Sequence, residues 1–309
     1  MIRTSGRWDP TDHPKYFLAG NINTLEAAAP CVEDVLLAVN EITGEREQAI
    51  FRALATSRHN LFLDSGVFNL VNGHAVAHGM KMDEALSLAP DELDGFDALF
   101  ARYVEIVSVW GDRLWGAVEI DAGGRENKIK TRARLEELGL KPIPVYHPFN
   151  DGWDYFDHLA ENYDRICFGN VVQADTGTRK RLVATAWERR RKYPHLWIHL
   201  LGMTPSPMTV AFPMSSCDSS TWLSGARWGN QRAWAASQSL WEIGAGFTYD
   251  RKADSDGGRG VHTAWAFGGY NAGMLGRCMR RMADDQRREL GCDPTGWTIE
   301  GWPEPRVGR

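Results

Sequence analysis

Residues 130–147 read KTRARLEELGLKPIPVYH: a charged stretch with leucines at helical spacing, then a glycine, then a short apolar run. Leu135 and Leu138 are expected on one face of a helix. Gly139 supplies the stop, because glycine accepts the left-handed conformation that ends helices, and PIPVYH reads as a strand. Helix, glycine, strand is the repeating unit of a fold with parallel strands, since parallel neighbours need a crossover that a helix can supply.

The same alternation extends in both directions. Candidate strands are YFLAG (16–20), LFLDS (61–65), WGAVEID (115–121), PIPVYH (142–147), RICFGN (165–170), WIHLLGM (197–203) and MSSCDS (214–219), with an eighth near FTYD (247–250). Helical periodicity falls between them in VEDVLLAVNEITGEREQAIFRALA (32–55), ELDGFDALFARYVEIVSVW (92–110), WDYFDHLAENY (153–163) and RKRLVATAWERRRKY (179–193). Seven or eight such units predict a (β/α)8 TIM barrel as a single domain over residues 1–309, with a C-terminal helical extension and tail from about residue 250. A doubly wound sheet is the alternative, although no GxGxxG turn follows the first strand.

Composition bounds the function. Of 309 residues, 43% are hydrophobic and 24% charged, and no run approaches the ~20 apolar residues of a membrane span. The opening MIRTSGRWDPTDHPKYF has charges but no apolar h-region, so a cytoplasmic protein without membrane partners is expected. Five scattered cysteines suit reduced thiols, and without a CxxC pair no metal site is expected. A net charge of −5 argues against a generic nucleic-acid coat but leaves room for a local basic face.

On a barrel, polar residues at the C-terminal strand ends line the active face. Reading only those ends gives Asp64, Asp121, His147, Gly169 with Asn170, Gly202 with Met203, and Asp218. Paired carboxylates can carry displacement at an anomeric carbon, one attacking C1 while another acid or base manages the leaving group's proton. Phe68 and Leu201 could stack on a flat ligand beside them. Each feature also has a structural reading: a strand-end aspartate serves equally as a turn or helix cap, and Phe68 as core. His147 is open between catalytic and positioning roles, whereas Cys217 beside Asp218 reads as packing.

These segments carry a family resemblance. FLDSGVFN (62–69) resembles the DSGGFQ motif of the tRNA-guanine transglycosylases, and SSCDSSTW (215–222) is similar to the segment bearing their nucleophile. LLGMTPSP (200–207) is similar to their LMGVGxPxD strand, and ICFGNV (166–171) to their base-recognising AVGG turn. The likeness covers roughly residues 15–225 and is nearest to the phage and bacterial relatives that place 7-deazaguanine bases into DNA. It implies Asp218 as nucleophile on C1′ and Asp64 as general acid/base. Asp121 would accept from the purine amino and ring N–H groups, and Gly169 and Asn170 would read the opposite edge. Phe68 and Leu201 would sandwich the ring, with Ser65, His147, Gly202 and Met203 completing the base site. The implied partners are DNA and a free 7-deazaguanine base such as preQ0. No cofactor is implied, and a homodimer or an accessory protein stays open.

Two departures matter. The CxCxxC…H zinc site of the tRNA enzymes is absent from this sequence, which favours DNA over tRNA. The second glycine of DSGGF is Val67 here, and Trp222 stands where an arginine is expected. Phosphate contacts would fall to Arg179, Lys180 and Arg181, to Arg189 and Arg190, and to Arg280 and Arg281, although charge runs on helices also serve as solvated faces. The competing readings are a tRNA-acting enzyme, an inactive nucleic-acid-binding barrel, and a glycoside hydrolase using Glu119.

Overall fold

The computed structural model describes residues 1–9, 15–29, 32–204 and 215–220. Eight strands occur among them: β1 (Lys15–Ala19), β2 (Asp34–Ala38), β3 (Asn60–Asp64), β4 (Gly116–Ala117), β5 (Val145–Tyr146), β6 (Arg165–Phe168), β7 (Trp197–Leu200) and β8 (Ser215–Ser219). The helices are α1 (Ile22–Ala28), α2 (Glu45–Thr56), α3 (Val67–His78), α4 (Met82–Leu86), α5 (Phe96–Trp110), α6 (Gly124–Glu137), α7 (Trp153–Asn162) and α8 (Thr176–Arg190). The chain is thus an α/β protein, and every strand pairing described is parallel.

Two compact units divide the chain. One comprises Met1–Trp8 and Leu37–Asn170, the other Asp9–Leu36 and Val171–Arg309. In the first, β3 pairs with β4 through Phe62 with Gly116 and Leu63 with Ala117. A bridge from Val118 to Ile143 carries the sheet on to β5, and β5 pairs with β6 through Val145 with Cys167. In the second, β1 lies between β2 and β8, and β7 pairs with the far side of β8.

Helix α5 shows why these residues fold so. Phe96, Leu99, Tyr103, Ile106 and Val107 are buried at the three-and-four spacing of one helical stripe, and α7 likewise buries Tyr155, Phe156, Leu159 and Ala160. The strands bury nearly every residue, as parallel strands covered by helices must: β6 and β7 have no exposed position.

The N-terminal segment is tied to the start of β6. Thr4 donates from its backbone N and Oγ1 to Asp164 at 3.0 and 2.8 Å. Arg165, fully buried, donates to Thr4 Oγ1, Trp115 O and Ser5 O, and its guanidinium lies 4.7 Å from the Trp8 ring and 5.0 Å from that of Trp115. Burial pushes its pKa down, and carbonyl acceptors and ring faces stand in for lost water.

The seven strands expected from sequence all form, but the helix expected over 32–55 does not. Its first part, DVLLA, is β2, and only Glu45–Thr56 is helical. A five-residue apolar run fits either period, and pairing with β1 decides it. The strand expected near 247–250 and the C-terminal helices lie outside the described residues. In the unit that anchors the reading, Gly139 takes φ +78° and ends α6 as expected. Leu138, however, is 56% exposed, and Leu140 after the turn is buried instead. With the helix already stopping, the residue beyond the glycine makes the hydrophobic contact.

Candidate active site

Each residue singled out at a strand end is at, or just past, the C-terminal end of its own parallel strand. Asp64 ends β3, and its carboxylate accepts the N–H of Gly66 at 3.0 Å, closing the turn into α3. Ser65 is buried. Phe68, on the first turn of α3, is 58% exposed, which removes the reading of it as core.

Asp121, His147, Gly169 and Asn170 belong to the same unit. The chain leaves the sheet after Glu119, whose N–H donates to Ile143 O at 3.0 Å, and Asp121 follows two residues on. His147 Nε2 lies 3.0 Å from Asp121 Oδ2. The backbone N–H of His147 donates to Asp151 Oδ2 at 2.7 Å, and the buried Lys128 donates to the same oxygen and to Val145 O. Burial raises the Asp121 pKa, but the His147 hydrogen bond and the charges of His147 and Lys128 outweigh it, leaving the carboxyl below its ordinary 3.8. Gly169 is there for space: a Cβ would stand 2.8 Å from His147 Cδ2 and 2.9 Å from Nε2, so any side chain would displace the ring. Asn170 has φ +61°, the one non-glycine in left-handed conformation among the described residues, a state asparagine tolerates best.

Glu119, two residues before Asp121, is sealed. Its oxygens accept Arg132 Nη1 at 3.0 Å and Val145 N at 2.6 Å, with no exposed surface. Burial raises its pKa against the opposing pull of Arg132 and Lys128. It holds α6 to the sheet, so the hydrolase reading loses its only glutamate.

The second unit contains Asp218, Gly202 and Met203. Asp218 Oδ1 accepts the N–H of Gly202 at 2.8 Å, and His199 Nε2 lies 3.1 Å from the same oxygen. Gly202 has φ +70°, the left-handed region that favours glycine, and so aims its N–H at the acid. His199 Nδ1 lies 2.8 Å from Ser216 Oγ, which also accepts Trp197 Nε1–H at 2.9 Å. Period-two alternation makes this possible: Trp197 with His199 on β7, and Ser216 with Asp218 on β8, share one face, the strands being in register at His199 and Ser216. Cys217 is buried on the opposite face of β8. Met203 is buried and Leu201 half-buried.

Among the expected DNA contacts on α8, Lys180 and Arg181 are exposed. Arg179 is half-buried and donates to Val171 O and Ala174 O. Arg190 is inside the unit: fully buried, it donates to Leu196 O and Pro194 O, each at 2.8 Å. Arg189 is half-buried in the same last turn, and Arg280 and Arg281 lie outside the described residues.

One group of metal-ligating side chains comes together among the described residues: His74 and His78 on α3 with Asp94. One ring nitrogen of each histidine already has a partner within the cluster. His74 Nδ1 accepts the Asp94 N–H at 3.2 Å, and His78 Nε2 is 2.6 Å from Asp94 Oδ2, closer than the ~3.3 Å between ligands around a shared zinc. The cluster braces the start of α5.

The chain matches no protein-family model and none of the curated proteins.

Sequence reasoning passed over His199, Ser216 and Trp197, and over Lys128 and Asp151. The alternations W-x-H in β7 and S-x-D in β8 were the available signal for the first three. Lys128 and Asp151 gave none, since a lysine on a charged helix reads as surface. Among the described residues no helix is long and apolar enough to cross a membrane.

Proposed function

We propose that the protein is a DNA guanine transglycosylase on a (β/α)8 barrel, exchanging guanine in DNA for a 7-deazaguanine base through a covalent deoxyribosyl-aspartate. One observation carries the reading: Asp218, the residue matching the nucleophile segment, is a nearly buried strand-end carboxylate anchored, among the described residues, through Oδ1 by Gly202 and His199. Glu119, by contrast, has both oxygens engaged.

In this reading an Asp218 oxygen attacks C1′ as the C1′–N9 bond to guanine breaks, and Asp64 gives the departing base a proton. The incoming base then loses its N9 proton to Asp64, and its N9 attacks C1′ and releases Asp218. Asp121, kept ionised, accepts from the purine amino and ring N–H groups. The exposed ring of Phe68 offers a stacking face next to Asp64. One glycosidic bond replaces another, so the exchange needs no redox step. A base within a duplex would be flipped out to react, with Lys180 and Arg181 available for phosphates.

The test is release of labelled guanine from DNA and, in parallel, from tRNA, with a panel of 7-deazaguanines as acceptors. Acceptor-dependent release from DNA supports the proposal. Release from tRNA alone moves the substrate, and release from neither, with folded protein, overturns the exchange reading.

A further inference from the structure

We infer that Trp197, Ser216 and His199 form a one-way hydrogen-bond relay that fixes His199 as its neutral Nε2–H tautomer and anchors Asp218 Oδ1, leaving Oδ2 as the attacking oxygen. The assignment of Oδ2 to attack rests on the proposed transglycosylase reading; the relay itself does not.

Counting donors fixes the direction. An indole N–H can only donate, so the 2.9 Å contact makes Ser216 Oγ an acceptor from Trp197. The Ser216 hydroxyl proton then has His199 Nδ1 before it at 2.8 Å. If Nδ1 accepts, the ring proton is on Nε2, 3.1 Å from Asp218 Oδ1, which as a carboxylate oxygen can only accept. The opposite tautomer would set an unprotonated Nε2 against that oxygen, lone pair to lone pair. An imidazolium would turn Nδ1–H toward Ser216 and deprive the buried hydroxyl of its acceptor in the relay. Ser216, His199 and Trp197 are each 1% exposed or less, so water is a poor substitute for a missing partner.

The consequence falls on Asp218. Oδ1 accepts two hydrogen bonds, from Gly202 N–H and His199 Nε2–H, while among the described residues none reaches Oδ2. When Oδ2 bonds to C1′, Oδ1 becomes the ester carbonyl and keeps both donors. When the incoming base displaces the aspartate, those donors meet the returning negative charge. His199 is therefore a positioning residue, acting on the sugar only through Asp218.

Nitrogen NMR of the imidazole tests the relay without any need for activity. In the folded protein near pH 7, the His199 signals, identified by their loss in His199→Gln, are expected to show a protonated Nε2 and an unprotonated Nδ1. Ser216→Ala should move the Nδ1 resonance and mix the tautomers, and Trp197→Phe, the gentler change, should shift Nδ1 in the same sense. A protonated Nδ1 in the unaltered protein overturns the relay, as does an Nδ1 signal indifferent to folded Trp197→Phe. In the exchange assay, Ser216→Ala is expected to lower kcat about tenfold, the loss of one hydrogen bond to a charged group's partner, with KM for the free base unchanged. Unchanged kcat in folded Ser216→Ala would remove the positioning role. The predicted tautomer in a protein that exchanges no base would sink the transglycosylase reading while leaving the relay intact.

Discussion

Asp121 and Asp218 are both aspartates at the C-terminal side of parallel strands, yet their surroundings differ. Asp121 sits with the imidazole of His147 at 3.0 Å and within the field of buried Lys128, and its pKa is drawn down against the effect of burial. Asp218 is held by a backbone N–H and by one imidazole nitrogen, at 2.8 and 3.1 Å on the same oxygen. In the proposed reading, the charge field around Asp121 makes it a dependable acceptor, whereas the hydrogen bonds on Asp218 Oδ1 leave Oδ2 for bond formation. If the proposed function holds, the partners, not the residue type, divide binding from attack.

The strongest way to break this contrast is to delete each acid in turn. Asp218→Ala should lower guanine release by more than about 10⁴-fold and abolish any covalent protein–DNA adduct on a denaturing gel, as loss of a nucleophile does. Near-normal turnover would erase the distinction at once. The next largest effect is on stability. Arg132→Met leaves Glu119 buried without its ion-pair partner, which should cost about 3–5 kcal/mol in urea unfolding, while Glu119→Gln in the same chain recovers part of it. If Arg132→Met unfolds like the unaltered protein, Glu119 is not the structural anchor that separates it from Asp121. Asp121→Ala should weaken free-base binding in calorimetry by about 10- to 100-fold, the loss of hydrogen bonds to a charged acceptor. Affinity equal to that of the unaltered protein would take Asp121 out of the base site.

The outline of both regions was readable because their strands are short apolar runs ending in polar residues, and parallel strands buried on both faces leave little else for such runs to be. Where the run was equally compatible with a helix, as in DVLLA, only pairing with β1 resolved it. The strand-end acids could be read as candidates from position alone. Their partners could not. Lys128 reaches Asp151 from α6 across 23 residues, and Arg132 reaches Glu119 across 13, separations set by how a helix packs on its sheet. Arg190 shows the same limit in reverse: within the run of four basic residues at 189–192 it reads as surface, yet the turn after α8 folds its own carbonyls over the guanidinium. The His199 relay lies between these cases, since strand alternation was visible but the register joining His199 to Ser216 was not.

The smallest effect expected is the acid dependence of Asp121 itself. Its folded pKa is below the ordinary 3.8, with burial opposing and the His147 hydrogen bond and the charges of His147 and Lys128 favouring the ionised form. A carboxyl whose pKa is depressed by folding contributes stability that is fully present above the unfolded pKa and lost as pH falls through the folded one. Urea midpoints of the unaltered protein and of Asp121→Asn should therefore differ by a constant amount from pH 7 down to about 5 and converge below about 4. Titration of carboxyls that do not interact with Asp121 shifts both curves alike and drops out of the difference. A gap that stays constant to pH 3 would mean that the folded protein does not favour the Asp121 charge, and the two strand-end acids would then have to be told apart by geometry alone.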